Sequence, residues 1–323
     1  MVFRRFGRLG WQVSEIGYGM WGIGGWSGSD DGESARSLDR AIELGCNFFD
    51  TAFAYGMGKS EKLLGEALRR HQSRHLYVAT KVPPKNWKWP GSADVPASET
   101  FPAEHIKEYT EKSLQNLGVD AIDLQQLHVW SDAWANDEGW QRAADDLKRQ
   151  NLIRGFGISV NRWQPANVLA ALGTGLVDTV QVVYNIFDQD PEDQLFPACR
   201  DRDVAVIARV PFDEGSLTGT LTKNSKWPEG DWRNVYFTPE NLADTLERVE
   251  RLKPIAPGDM DLPETALRFI LAEPAVSTVI PGMRKTAHVD RNLAASDGRP
   301  LPKDALTALR GHRWDRAYVP VVP

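Results

Sequence analysis

The sequence predicts an α/β protein, a (β/α)8 TIM barrel, in a single domain over residues 1–323. Three observations carry this. Short apolar runs alternate with amphipathic segments along the chain, the pattern of βαβ units and a parallel sheet. Eight such runs can be counted. Three successive ones end on ionisable side chains, as expected in a barrel whose interior is packed and whose chemistry collects where strands give way to loops. The length suits one such unit, since these barrels reach about 250 residues and more without dividing. The composition shows no internal repeat, low-complexity tract or domain boundary.

Taken in order, Phe3–Phe6, Gly7 through Gly10, and Trp11–Ser14 read as a β-hairpin. Ile16–Gly19 is the first strand, followed by the glycine-rich stretch from Gly22 to Gly28. A dinucleotide-binding fingerprint needs its glycines directly at a helix start. Here the next helix waits until Asp31 or Gly32, so that reading is rejected. A helix from about Glu33 to Leu44 follows, then the strand Phe48–Asp50, then a helix capped by Ser60 with Leu63, Leu64, Ala67 and Leu68 on one face. The third strand is Leu76–Lys81. A proline-rich loop from Pro83 to Pro102 leads to a helix marked by Ile106, Tyr109, Ser113, Leu114 and Leu117 and ended by Gly118. The fourth strand, Ile122–Leu127, runs into His128, and the helix behind Asp137 carries Trp140, Ala144 and Leu147. Ile153–Ser159, Val180–Tyr184, Val204–Arg209 and Ser277–Ile280 complete the eight. Pro211–Thr238 is too long for a plain connection and reads as a binding loop.

Asp50 closes the second strand, Tyr55 follows five residues later with Gly56 behind it, and Lys81 and His128 close the next two strands. Each alone would pass as an ordinary turn or core residue; as an ordered set of four they are a far narrower coincidence. On these residues the sequence resembles the aldo-keto reductases, NAD(P)(H)-dependent oxidoreductases on a (β/α)8 barrel whose bottom is closed by an N-terminal hairpin. The resemblance runs from Arg8-Leu9-Gly10 to Asn292 and implies a catalytic tetrad of Asp50, Tyr55, Lys81 and His128. The chemistry suits those roles. Hydride reduction of a carbonyl leaves charge on oxygen that must receive a proton, and tyrosine, with an ordinary pKa of about 10, is a poor acid. A lysine ammonium beside it lowers that pKa, and an aspartate keeps the amine charged. His128 would point an imidazole N–H at the carbonyl oxygen.

The resemblance also implies a cofactor site. Gly19, Met20, Trp21 and Asp50 are assigned to it. Ser159, Asn161 and Gln181 would hold the nicotinamide carboxamide, although Val160 stands where the asparagine of relatives follows the serine directly. Arg209 takes the place of the usual stacking aromatic; its planar guanidinium suits either stacking or an anion. Pro211, Phe212, Gly215 and Leu217 belong to the loop over the pyrophosphate, whose backbone amides suit an anion. Gly282, Arg284 and Asn292 resemble the adenosine-side motif, and His288 and Arg291 stand where relatives often carry other polar residues. With Lys285 and Arg291 close by, a 2′-phosphate would find cationic partners, which favours NADP(H), with NAD(H) possible.

Twelve tryptophans are many. Trp21, Trp26, Trp87, Trp130 and Trp232 are expected to wall a pocket for a small-molecule carbonyl or sugar substrate, with Trp89 and Trp134 also at the mouth; Trp140 and Trp163 read as packing. The charge of −6 argues against nucleic-acid binding. No apolar run approaches the roughly 18 residues of a membrane span, the opening residues lack a signal peptide, and Cys46 and Cys199 read as reduced thiols of a cytoplasmic protein. The six histidines show no ligand spacing, so no metal is implied. Tyr318–Pro323 is too apolar for a free tail and reads as a pocket cover or a packing surface for a neighbour, with the oligomeric state open. Beside carbonyl reduction stand two other readings with the same four residues: a sugar or alcohol dehydrogenase or internal-redox enzyme, and a cofactor-sensing binding subunit resembling potassium-channel β subunits.

Overall fold

The computed structural model describes residues 1–25 and 28–316; Trp26 and the apolar segment 318–323 lie outside them. The chain opens with the antiparallel hairpin of β1 (Phe3–Phe6) and β2 (Trp11–Ser14), with Phe6 opposite Trp11. Phe6 and Val13 are fully buried against Phe48, Tyr77, Ala79, Leu124, Ala205 and Ile207, the residues that point inward at the strand starts. The hairpin thus plugs one end of the barrel. Burying a side chain such as Phe6 contributes on the order of 1.5–3 kcal/mol.

The barrel strands are β3 (Tyr18–Gly19), β4 (Phe48–Asp50), β5 (Tyr77–Val82), β6 (Ile122–Leu127), β7 (Ile153–Ser159), β8 (Thr179–Val183), β9 (Ala205–Arg209) and β10 (Val276–Val279), each parallel to the next in chain order. Parallel bridges Ile16–Val279 and Gly19–Gly282 join the last strand to the first. The α1 helix (Asp31–Glu43) starts two residues earlier than its apolar pattern, because the Asp30 side chain accepts from the Glu33 N–H. The α2 helix (Lys59–Arg70) corrects the expected cap. It begins after Gly58, and the Ser60 hydroxyl is buried 2.8 Å from that of Thr51. Next come α3 (Ala97–Thr100) and α4 (Ala103–Leu117), which Gly118 ends in the left-handed conformation. The α5 helix (Glu138–Arg149) is capped by Asp137 and buries Trp140, Ala143, Ala144 and Leu147. The ring is completed by α6 (Leu169–Gly173), α7 (Leu195–Asp201), α8 (Arg233–Tyr236), α9 (Pro239–Leu252), α10 (Leu262–Leu271), α11 (Thr286–Ala294) and α12 (Lys303–Arg310). Among the described residues no helix is long and apolar enough to cross a membrane. Cys46 and Cys199 are buried free thiols.

Candidate active site

Strand periodicity places the first two groups. In β4, Phe48 faces the hairpin plug and Phe49 the helix layer, so the alternation turns Asp50 inward at the far end. In β5, Ala79 is inward, Thr80 outward, and Lys81 inward again beside Asp50. Lys81 is fully buried. Its Nζ donates to Asp50 Oδ1 at 2.6 Å and to the Thr51 carbonyl at 2.7 Å, and reaches Tyr55 Oη at 3.5 Å. Gly56 lets Tyr55 sit there: a Cβ on it would lie 1.9 Å from the Gly24 carbonyl oxygen. His128 follows β6, its N–H held by the Val82 carbonyl at 3.1 Å. The imidazole lies edge-on between Tyr55 and Trp89, each ring centre 5.7 Å away.

Burial works against the Lys81 charge, but Asp50 and then Tyr55 outweigh it and hold its pKa above the ordinary amine value. For Tyr55 the balance differs from the sequence expectation. Lys81 does pull the phenol down, yet burial dominates and the pKa stands above its ordinary value. His128 is held well below the ordinary imidazole value by burial, then by Lys81 and Arg209. It is therefore neutral near pH 7, keeping one N–H to donate and one nitrogen to accept.

Two amides complete the cluster. Gln181 Nε2 donates to Asp50 Oδ2 at 2.7 Å and Gln126 Nε2 to the same oxygen at 3.2 Å. Gln126 was not anticipated, although its register opposite Lys81 and its place two residues before His128 put it on the inward face. Outward from Lys81, the Thr80 hydroxyl donates to buried Glu61 at 2.6 Å, tying β5 to α2.

The expected cofactor residues separate into two groups. Ser159 at the end of β7 is the partner in register of Gln181 in the middle of β8. Met20 N–H donates to the Asp50 carbonyl, and Gly19 N–H to that of Pro281. Arg209 ends β9 and gives Nη2 to the Val160 carbonyl at 2.9 Å; burial and then Arg162 push its pKa down to about 10. Asn161 departs from expectation, since its amide is engaged by the backbone of Gly91. The pyrophosphate loop departs too. The N–H groups of Gly215 and Leu217 both donate to the Phe212 carbonyl, and the Leu217 side chain is buried in the core. That loop is pinned by Arg162, another residue missed, through Glu214 at 2.7 Å, Asp213 at 3.1 Å and the Tyr236 hydroxyl at 3.0 Å. On the adenosine side, Asn292 is buried, Arg291 pairs with Asp261, and Glu33 accepts from the Thr286 N–H at 3.2 Å at the start of α11. His288 is held below the ordinary imidazole value by burial, then by Lys285 and Arg284.

Among the expected wall residues, Trp21 and Trp87 are exposed. Trp130 is fully buried, edge-on to Trp134 and Trp140, and belongs to the core. Trp232 joins a satellite cluster with Tyr236, Phe237 and Trp227, because its loop forms its own small core. The aromatic at His128 is Trp89. Among the described residues no group of His, Cys, Asp and Glu could hold a metal ion.

A nicotinamide cofactor fits this mouth. His128 Nδ1 and Arg209 Nε are buried without partners among the described residues, an arrangement that a polar ligand would complete. At Gly282 a Cβ would meet nothing within 4 Å, so there is open space beside that backbone.

The model of the Aldo/keto reductase family matches residues 15–313. The chain is 30% identical to an uncharacterized oxidoreductase, YqkF, of Bacillus subtilis (strain 168), over 98% of this chain and 97% of that protein. It is also 30% identical to an NADH-specific methylglyoxal reductase of Escherichia coli (strain K12), over 88% and 90%. The solved structure of aldo-keto reductase AKR11C1 from Bacillus halodurans, in its holo form, superposes with a TM-score of 0.77 at 28% identity, covering 98% of both chains.

Proposed function

The chain belongs to the aldo/keto reductase family, and on that basis we propose that it is an NADP(H)-dependent oxidoreductase that reduces aldehyde and ketone carbonyls to alcohols, with Tyr55 as proton donor. The observation that carries this reading is the buried chain from Asp50 through Lys81 to the Tyr55 hydroxyl. A bound nicotinamide cofactor would supply the hydride. Ser159 and Gln181 would hold its carboxamide. Gly19, Met20, Trp21, Pro211 and Phe212 would line its path toward Gly282, Arg284, His288 and Asn292. His128, neutral, orients the carbonyl oxygen through an N–H. Lys81 stabilises the phenolate left when Tyr55 gives its proton, and Asp50 holds Lys81 charged.

Arg209 belongs to this machinery through its position between the ends of β7 and β9 and its unpaired Nε. Arg209→Ala is expected to weaken cofactor binding and slow turnover by about tenfold each, the size of a lost charge-assisted hydrogen bond. Unchanged affinity and unchanged turnover together would remove Arg209 from the site.

Arg284 and Lys285 support NADP(H) through their charge and position, with the neutral imidazole of His288 beside them. The Glu33 carboxylate at the α11 N-terminus opposes a 2′-phosphate there. Titration with NADPH and with NADH, read by tryptophan fluorescence and followed by turnover of a simple aldehyde, tests the proposal. Tighter NADPH binding with aldehyde turnover is expected, and Glu33→Gln should widen the preference for NADPH. Tighter NADH binding would overturn the cofactor choice; turnover with neither would overturn the reductase.

A further inference from the structure

We propose that Asn161 is a positioning residue of the substrate pocket, clamping the loop after β5 so that Trp89 stands as an aromatic wall selecting carbonyl substrates with a flat apolar group. This rests on the reading of the mouth as a reductase site.

Asn161 Nδ2 donates to the Gly91 carbonyl at 2.9 Å, and Gly91 N–H donates back to Oδ1 at 3.2 Å. The side chain thus imitates a backbone bridge. Its second Nδ2 hydrogen goes to Gln164 Oε1 at 3.1 Å, so both donors are used inside the protein. The extra residue Val160 explains the geometry. On extended backbone a shift of one position turns the side chain to the other face, toward the loop.

Gly91 is also seated on the segment after β6, since a Cβ there would come 2.8 Å from the Trp130 carbonyl oxygen. Only Pro90, with its φ fixed by the ring, separates this anchor from Trp89. Trp89 in turn meets His128 edge-on at 89°, and Trp87, an exposed residue, leans on it at 52°. A carbonyl approaching Tyr55 and His128 passes these indoles, and an aryl or conjugated substituent could stack where a short alkyl chain could not.

The test uses the NADPH-supplemented enzyme with benzaldehyde and propionaldehyde, comparing Trp89→Ala, Asn161→Ala and the double variant. Cofactor affinity is measured by calorimetry. Trp89→Ala and Asn161→Ala should each raise the benzaldehyde KM relative to that of propionaldehyde by about tenfold. The double variant should do no more than either alone, because both remove the same wall. NADPH affinity in Asn161→Ala should stay within about twofold, as expected for a residue that only positions. A tenfold loss of NADPH affinity with an unchanged aldehyde ratio would make Asn161 a cofactor ligand and overturn the proposal, as would additive effects in the double variant. If Asn161→Ala does not fold, Asn161→Asp keeps the acceptor and drops the donor. A folded Asn161→Asp protein should shift the ratio in the same direction, and no shift would overturn the clamp. Absence of turnover in the unsubstituted enzyme would sink the reductase reading and this proposal with it; turnover with a ratio insensitive to Trp89 would sink this proposal alone.

Discussion

Replacing Tyr55 by phenylalanine is expected to lower carbonyl reduction by about 10²–10⁴-fold, the range supplied by a positioned general acid, with little change in NADPH affinity. The ring would keep its place edge-on to the His128 imidazole; only the hydroxyl beside Lys81 Nζ is lost. The acid must be protonated to serve reduction. Because burial holds the phenol above its ordinary pKa, reduction should persist through neutral pH and fall only in the alkaline range. Alcohol oxidation, which needs the phenolate, should rise in that same range. A pH profile of kcat/KM in both directions checks this. A Tyr55→Phe enzyme retaining full activity would dismiss the tetrad.

Lys81→Met should be as damaging to turnover and more damaging to the fold. Lys81 and Asp50 form an ion pair buried on both sides, and removing one member of such a pair costs about 3–5 kcal/mol because the other charge is left unpaired. Gln126 and Gln181 would still donate to Asp50 Oδ2, so a folded protein with a lowered Tm is expected. With the Lys81 cation gone, only the weaker pull of Arg209 is left to oppose burial at Tyr55, and any residual activity should show its alkaline limb at still higher pH. A Lys81→Met protein with unchanged Tm would mean that Asp50 had found another partner.

The barrel and the meeting of Asp50, Tyr55, Lys81 and His128 at its mouth were legible because both rest on local pattern. Period-two strands fix which side chains face inward, and Asp50, Lys81 and Gln126 obey that rule alike. What was not legible depends on contacts distant in sequence. Trp130 and Trp232 look like Trp89 in composition, and only packing decides that Trp89 reaches His128 while the others enter cores. Asn161 was assigned by motif, and its partner, Gly91, lies 70 positions away in the chain. The loop at Gly215 offered amides on paper, but its tight turn uses two of them internally.

The joint between the last strand and the first has its own consequence. Elsewhere neighbouring strands pair in ladders, the one between β9 and β10 with a register shift, whereas this joint is made of two isolated bridges, one of them between Gly19 and Gly282. Both glycines stand on the proposed path of the cofactor, so a dinucleotide lying there would staple together the two ends of the polypeptide. Ligand affinity would then act as mechanical reinforcement of the ring at its thinnest weld, and the loaded protein should resist opening there before anywhere else.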